Sequence, residues 1–377
     1  MGTPNSLPLA ITSPDNGGVT EERVIELINM ALSDMGGTVP KVTFYGTNNH
    51  FTWPNDDPAR PGYTRDHWPA QIAQMVDLGA LTTRGGFGIF TDWKGELDSD
   101  ADTYIDYIDN FAKPAGVVVC PVLMADYRSS ADEAAAYQVG YNLGSQAARL
   151  KFRVAQYEIG NEEDSFAIID GSHSGRSPAD YDLHRFSLVR AYLRGQIAGI
   201  RSSDSVTPIV IDITWVHTAF LEMLWNGTAP DGSTGHPTVR WNKTALHWYT
   251  NNYAGNDNIE NVIDQGGLNL LAWAKNTFGV PIHINEWGAN SDTYSNNETS
   301  IKNAITGSLL MGKFQSVAKT YGIEHICYYQ LTDGAAPGTP DTDREEEYGL
   351  VKKDNTTKKA RYASFKTKIA AMPNPLA

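Results

Sequence analysis

Hydrophobic and polar positions along this chain switch between two periods. From Lys41 onward, short apolar or β-branched runs at 42–45, 80–84, 116–123, 152–159, 208–213, 244–249, 280–285 and 323–330 read as strands, because brief runs of that kind closed by turn formers suit a buried, pleated segment. Between them lie stretches at helical spacing: 66–78, 102–111, 130–150, 178–200, 218–224, 259–278 and 300–321, with a last helix over 360–372. Local end signals agree. Ser130 and Glu133 have the spacing of a capping box, Pro178 suits a first helical turn, and Gly79, Gly279 and Gly322 stand where left-handed C-caps are expected. Eight strands alternating with helices predict a (β/α)8 TIM barrel. The rival is an open doubly wound sheet with a phosphate-binding glycine turn, and Gly85-Gly86-Phe87-Gly88 lacks the spacing for one. Residues 1–40 differ, with a Pro/Ser/Asn/Gly-rich opening and one amphipathic helix over 20–35. The chain therefore divides into an N-terminal extension, 1–40, and a barrel domain, 41–377.

Composition narrows the function. The chain has 44 acidic against 30 basic residues and no basic run to track a phosphate backbone, so nucleic acid is not an expected partner. No apolar stretch approaches the ~18 residues of a membrane span, and the first residues show no basic segment followed by an apolar core. Cys120 and Cys327 fall in the third and eighth strands, which are not neighbours in a closed barrel, and read as buried free thiols.

A barrel of this kind builds its active site at the C-terminal strand ends. Two ends carry the chemistry. Tyr157-Glu158-Ile159-Gly160-Asn161-Glu162 and Pro281-Ile282-His283-Ile284-Asn285-Glu286-Trp287 are apolar runs that each stop at a glutamate, 124 residues apart. Two carboxyls facing one cleft are the equipment for glycosidic cleavage: one protonates the leaving oxygen, the other attacks or activates water. Arg84 and the Tyr249 hydroxyl are candidate donors that keep a nucleophilic carboxylate ionised, and Asn161 is a candidate partner for a sugar hydroxyl. His247 stands on the same strand end as Tyr249. His50, Asn49, Trp53, Trp215, Trp248, Trp287 and Gln330 are candidate sugar contacts, the aromatic ones as stacking faces. Glu158 shares the strand parity of Glu162 and is the one alternative to it, while Glu163 and Asp164 read as solvated or at the cleft rim.

These residues resemble clan A of the retaining glycoside hydrolases, nearest families thirty-nine and five, with fifty-one suggested by Glu158-Ile159-Gly160-Asn161-Glu162. In that clan the acid/base is the Glu of an Asn-Glu pair ending strand four, and the nucleophile ends strand seven. The resemblance thus implies Glu162 as acid/base and Glu286 as nucleophile. It also matches Arg84 to a strand-two arginine and His247 with Tyr249 to a strand-six pair. Tyr348-Gly349-Leu350-Val351, with Lys358, Lys359 and Tyr362 after it, is similar to the clan's closing segment. The chain departs from many relatives in having no proline after Asn161-Glu162 and Tyr329-Gln330 where a tryptophan is common.

The expected function is a retaining glycosidase, endo-acting, on a polysaccharide or oligosaccharide, needing no metal or organic cofactor and working as a monomer. Its expected place is outside the cell or on its surface, with the cytoplasm left open. The alternatives are a barrel that binds glycans without cutting them, or a transglycosidase in which a sugar replaces water.

Overall fold

Eight parallel strands hydrogen-bond in sequence order and close on themselves, β1 against β8, in the computed structural model of the chain. The structure describes residues 37–51, 65–88, 101–250, 258–289, 294–295, 297–334 and 347–377. The strands are β1 (Tyr45–Asn48), β2 (Thr82–Phe87), β3 (Val118–Leu123), β4 (Tyr157–Ile159), β5 (Ile209–Thr214), β6 (Lys243–Thr250), β7 (Ile282–Ala289) and β8 (Ile323–Tyr328). Described helices are α1 (Trp68–Leu78), α2 (Ala101–Tyr107), α3 (Glu133–Ala147), α4 (Glu163–Ala167), α5 (Leu183–Arg201), α6 (Thr218–Asn226), α7 (Leu270–Phe278), α8 (Glu298–Thr306), α9 (Met311–Tyr321) and α10 (Ala360–Ala371). This is the (β/α)8 barrel that the alternation predicts. The helix expected over 20–35 and the Trp53 segment lie outside the described residues. Among the described residues no helix is long and apolar enough to cross a membrane.

Several boundaries shift for identifiable reasons. Gly79, Gly279 and Gly322 do adopt left-handed C-caps, with φ of 76°, 67° and 74°. The cap of α3, however, is Asp132, whose side chain accepts the Ala135 N–H, so Ser130 is not the capping residue. Pro178 opens a single 3-10 turn capped by Ser177, and α5 begins only at Leu183, after Asp182. The long helix expected over 300–321 is two helices, parted at Gly307. Most of the 259–269 stretch is turn, with Asn269 capping α7.

Two helix faces made of glycine fix one side of the barrel. Gly140 and Gly144 on α3 meet Gly195 and Gly199 on α5 so closely that a Cβ added to any of them would lie 2.1–2.2 Å from a carbonyl oxygen of the facing helix. The main chains themselves are in contact there. Neither glycine pair has an apolar side chain, so a reading based on hydrophobic periodicity passes over both. Inside the barrel, Gly46 has the same role: a Cβ would sit 2.6 Å from the His325 ring and 2.7 Å from the Thr82 carbonyl. Both cysteines are free and buried, and burial pushes the Cys120 thiol up to about 12.

Substituting Gly144 by Ala tests this contact. In an open helix the change gains about 1 kcal/mol; against a carbonyl it costs about 2–3 kcal/mol of overpacking. The expected outcome is a lower denaturant midpoint for Gly144→Ala. A higher one would mean that the helices do not touch.

Candidate active site

The site is assembled around one guanidinium. Arg84, at the end of β2, is 4% exposed, and each of its five N–H groups has an acceptor. Nε and Nη2 clasp the two oxygens of Glu158 on β4 at 2.8 and 2.7 Å. Nη1 donates to Glu286 Oε1 at 2.5 Å and to Asn48 Oδ1 at 2.7 Å. The remaining Nη2 hydrogen goes to Asn161 Oδ1 at 2.8 Å. Such a paired fork holds carboxylates at fixed angles as well as fixed distances.

Strand irregularities aim the groups. On β7 the register slips, so that Ala245 pairs with His283 but His247 pairs with Glu286. The extra residue lets adjacent side chains both turn inward: Asn285 donates to Glu158 Oε2 at 2.6 Å while Glu286 meets Arg84. After β4 the chain leaves the extended region, with φ of 73° at Gly160 and 53° at Glu162. Glu162 is held in this left-handed conformation, uncommon for a residue with a side chain, by its own N–H, which donates to Asp212 Oδ2 on β5 at 2.9 Å. Its carboxyl meets His247 Nδ1 at 2.8 Å. The second ring nitrogen, Nε2, lies 3.2 Å from the same Asp212 oxygen.

The electrostatics separate the carboxyls. Burial pushes Glu158 up, but the Arg84 charge and the His247 ring outweigh it and hold the group down at about 2. Glu158 is therefore the ionised counter-ion of Arg84 and not an acid. Burial likewise works against Glu286, and again the neighbouring His247 and Arg84 charges prevail, helped by the Tyr249 hydroxyl donating to Oε2 at 2.7 Å. Burial and the Glu286 charge push Tyr249 well up, which keeps it a donor. His247 is pulled down by burial but raised further by Glu286 and Asp212, while burial raises Asp212. The Glu162 side chain is 32% exposed and that of Glu286 11%, so both are reachable from the barrel mouth.

Arg84, Asn161, Glu162, His247, Tyr249 and Glu286 thus come together as the sequence suggests. His50 is near them, its Nε2 3.4 Å from the Tyr329 hydroxyl, and Tyr329, Tyr249 and Tyr348 pack edge to face beside Glu286. Trp215 is half-buried and stacks on Trp248 at 4.6 Å.

The other candidates are placed elsewhere. Trp248 and Trp287 are fully buried. Each alternates with an inward-facing neighbour and so faces the helices; Trp287 packs on Phe314 and Phe365. Neither is a sugar platform. Asn49 points outward too, donating to Gln71 on α1. Because β1 runs on to Asn48, it is Asn48 that enters the site. Gln330 is buried, and its main-chain carbonyl accepts the Leu350 N–H. Glu163 and Asp164 are neither solvated nor at a rim: Tyr127 bonds Glu163, and His217 bonds Asp164.

Sequence reasoning missed Asp212 and Asn285, which interrupt strands, and at the end of β1 it favoured Asn49 and His50 over the neighbouring Asn48. Parity alone could have proposed Asp212, an acidic residue inside the apolar run of β5. Two triads, Glu158/Asp212/His247 and Glu162/His247/Glu286, bring ligand-type atoms within 4.8 Å of one another. Arg84 already supplies the positive charge to Glu158 and Glu286, and a dication beside it would meet strong repulsion. The donor set fits proton sharing better than a metal.

No family model and no curated protein matches the sequence. Among solved structures the chain resembles virulence factor SghA from Agrobacterium tumefaciens, at TM-score 0.60 and 13% identity over 89% of this chain and 98% of that one. It also resembles exo-β-1,4-mannosidase Op5Man5 from Opitutaceae bacterium strain TAV5, at 0.56 and 14% over 91% and 63%. A third is a family 39 glycoside hydrolase from Bacteroides cellulosilyticus WH2, at 0.55 and 11% over 89% and 66%. At such identities the likeness is one of fold.

The Glu158 carboxylate gives an acid-stability prediction. Its folded value, about 2, lies below the ordinary 4.5, so it stabilises the fold above pH ~4.5 and that contribution is lost as pH falls toward ~2. Glu158→Gln should unfold more readily at pH 7, with a flatter decline in stability from pH 5 to 2 than wild type (circular dichroism on melting checks both).

Proposed function

We propose that the chain is a retaining glycoside hydrolase acting on a polysaccharide or oligosaccharide. One observation carries the reading: Glu162 and Glu286, delivered by β4 and β7, present carboxylate oxygens within 4.8 Å of each other and of the His247 ring. Retaining enzymes hold their carboxyl groups ~5–5.5 Å apart, whereas inverting ones leave ~6.5–9.5 Å for a water. The electrostatics around Glu286 support the division of roles. Glu286 is kept ionised by Arg84, His247 and Tyr249, as a nucleophile requires, and the more exposed Glu162 takes the leaving-group side. Glu286 attacks the anomeric carbon while Glu162 passes its proton to the leaving oxygen. The glycosyl ester on Glu286 is then hydrolysed by a water from which Glu162 takes a proton. Asn161, with Oδ1 engaged by Arg84, has its amide hydrogens left for a sugar hydroxyl.

Two of the solved neighbours are described as a mannosidase and a family 39 glycoside hydrolase, which supports the class without naming the sugar. With Trp248 and Trp287 in the core, the candidate platforms among the described residues are Trp215 and Tyr329. A pocket that releases single sugars is as well supported as a groove.

The test is hydrolysis of a panel of plant, algal and bacterial polysaccharides and aryl glycosides by wild type, Glu162→Gln and Glu286→Gln. Wild type should release new reducing ends, with the early product retaining its anomeric configuration. Each variant should lose at least about 100-fold. Early inversion would refute the double displacement, and binding without release would leave a barrel that only holds glycans.

A further inference from the structure

Asp212 on β5 belongs to no motif, yet one of its oxygens closes a ring with the acid/base. Oδ2 accepts the Glu162 N–H at 2.9 Å and lies 3.2 Å from His247 Nε2, and His247 Nδ1 lies 2.8 Å from Glu162 Oε1. Main chain and side chain of Glu162 are thus tied to the same carboxylate oxygen, on a residue that is 2% exposed.

The hydrogens around His247 can be assigned by elimination. Nε2 has three polar neighbours: Asp212 Oδ2, Arg84 Nη2 at 3.4 Å and Glu158 Oε1 at 3.7 Å. Arg84 Nη2 has only donors, and both of its hydrogens go to Glu158 and Asn161. Glu158 Oε1 is beyond hydrogen-bond length. With Asp212 ionised, Nε2 carries a hydrogen and donates it to Asp212, which leaves Nδ1 as the nitrogen whose protonation varies. With its lone pair free, Nδ1 accepts the O–H of a protonated Glu162; with a proton, it donates to the ionised carboxylate. The other charged groups facing the ring are Glu286, 3.6 Å from Nδ1, and the Glu158–Arg84 pair. The Glu158–Arg84 pair keeps its charges through the cycle, while Glu286 loses its charge as the glycosyl ester forms and regains it on hydrolysis.

We propose that Asp212 is a positioning residue for the acid/base, acting through His247: by fixing the Nε2–H tautomer and the Glu162 main chain, it turns Nδ1 toward Glu162 in both protonation states. This rests on Glu162 being the acid/base, and the experiment keeps the two claims apart.

Asp212→Asn retains an acceptor of the same shape without the charge, and Asp212→Ala removes both bonds. The first readout needs no substrate. In histidine-labelled protein, with the His247 signal identified by its absence in His247→Asn, nitrogen NMR should show Nε2 protonated at every pH in wild type. In Asp212→Asn the pH at which His247 gives up its second proton should fall by about one unit or more. The second readout is kcat/KM on matched dinitrophenyl and methoxyphenyl β-glycosides of glucose, mannose and xylose. Dinitrophenolate leaves without acid help, so Asp212→Ala should lose less than about threefold there, and about 100-fold on the methoxyphenyl glycoside, with Asp212→Asn in between. Equal losses on both glycosides, or a His247 titration unmoved in Asp212→Asn, would overturn the proposal. If wild type cleaves no glycoside, the glycosidase reading has failed, and the histidine titration alone decides the role of Asp212.

Discussion

Everything at the mouth of this barrel depends on a buried arginine having no hydrogen to spare. Arg84 brings an ionised group into a site closed to water, which costs several kcal/mol unless every donor finds a partner. The structure meets that demand with Glu158, Glu286, Asn48 and Asn161, drawn from the ends of three other strands. Because the guanidinium is planar and rigid, satisfying it also fixes the angles at which β1, β2, β4 and β7 present their side chains. The placement of Glu286 follows from this requirement. Glu158 and Glu286 share the Arg84 charge, and the more deeply buried one, Glu158, takes the bidentate clasp. Glu286 is left with one oxygen on Arg84 and the other on Tyr249, ionised and facing the mouth.

What the sequence makes legible is the part governed by periodicity and by residue types that have few other uses. Alternating strands and helices identify the barrel, and a glutamate that interrupts an apolar strand end stands out because burying it there is expensive. Arg84, His247 and Tyr249 are legible for the same reason. The illegible part depends on where alternation breaks. The slip on β7 turns both Asn285 and Glu286 inward, and no propensity of the Asn-Glu step announces it. Strand β1 begins and ends three residues later than the apolar run suggests, so the site receives Asn48 and not Asn49. Trp248 and Trp287 look like sugar platforms only if an aromatic beside a catalytic residue is taken to share its face. In a strand, next-door neighbours face opposite ways, and both rings belong to the layer between sheet and helices.

The barrel interior is polar well below the site, and this bears on where stability comes from. Gln156, His283 and His325 are buried beneath the Arg84 layer, and burial lowers His283 to about 4 and His325 to about 3, so both rings are neutral at ordinary pH. A barrel filled this way gains little from its centre compared with one packed by Val, Ile and Leu. The cohesive contacts are displaced outward, to the aromatic layer of Trp248, Trp287, Phe314 and Phe365 and to the main-chain contact of α3 with α5. The glycines that permit that contact are as necessary to the fold as any apolar residue.

That division explains why the charged cluster can be retained. Two well-packed apolar residues in place of Arg84 and Glu158 would be as stable or more so, so stability alone gives no reason for the pair. Preorganisation does. A carboxylate attacking a carbon must be ionised and aimed before substrate arrives, and dipoles fixed in advance need no rearrangement as charge develops. The same logic reaches Glu162 by a different route. As the proposed acid/base its carboxyl must change charge during the reaction, and it is kept off Arg84 and partly open to solvent. Its main chain, in contrast, is pinned in an uncommon conformation by Asp212. One glutamate is held by a permanent charge and the other by a hydrogen-bonded ring that can accommodate either protonation state. The difference between the two supports suits two carboxyls a few ångströms apart to the opposite roles proposed for them.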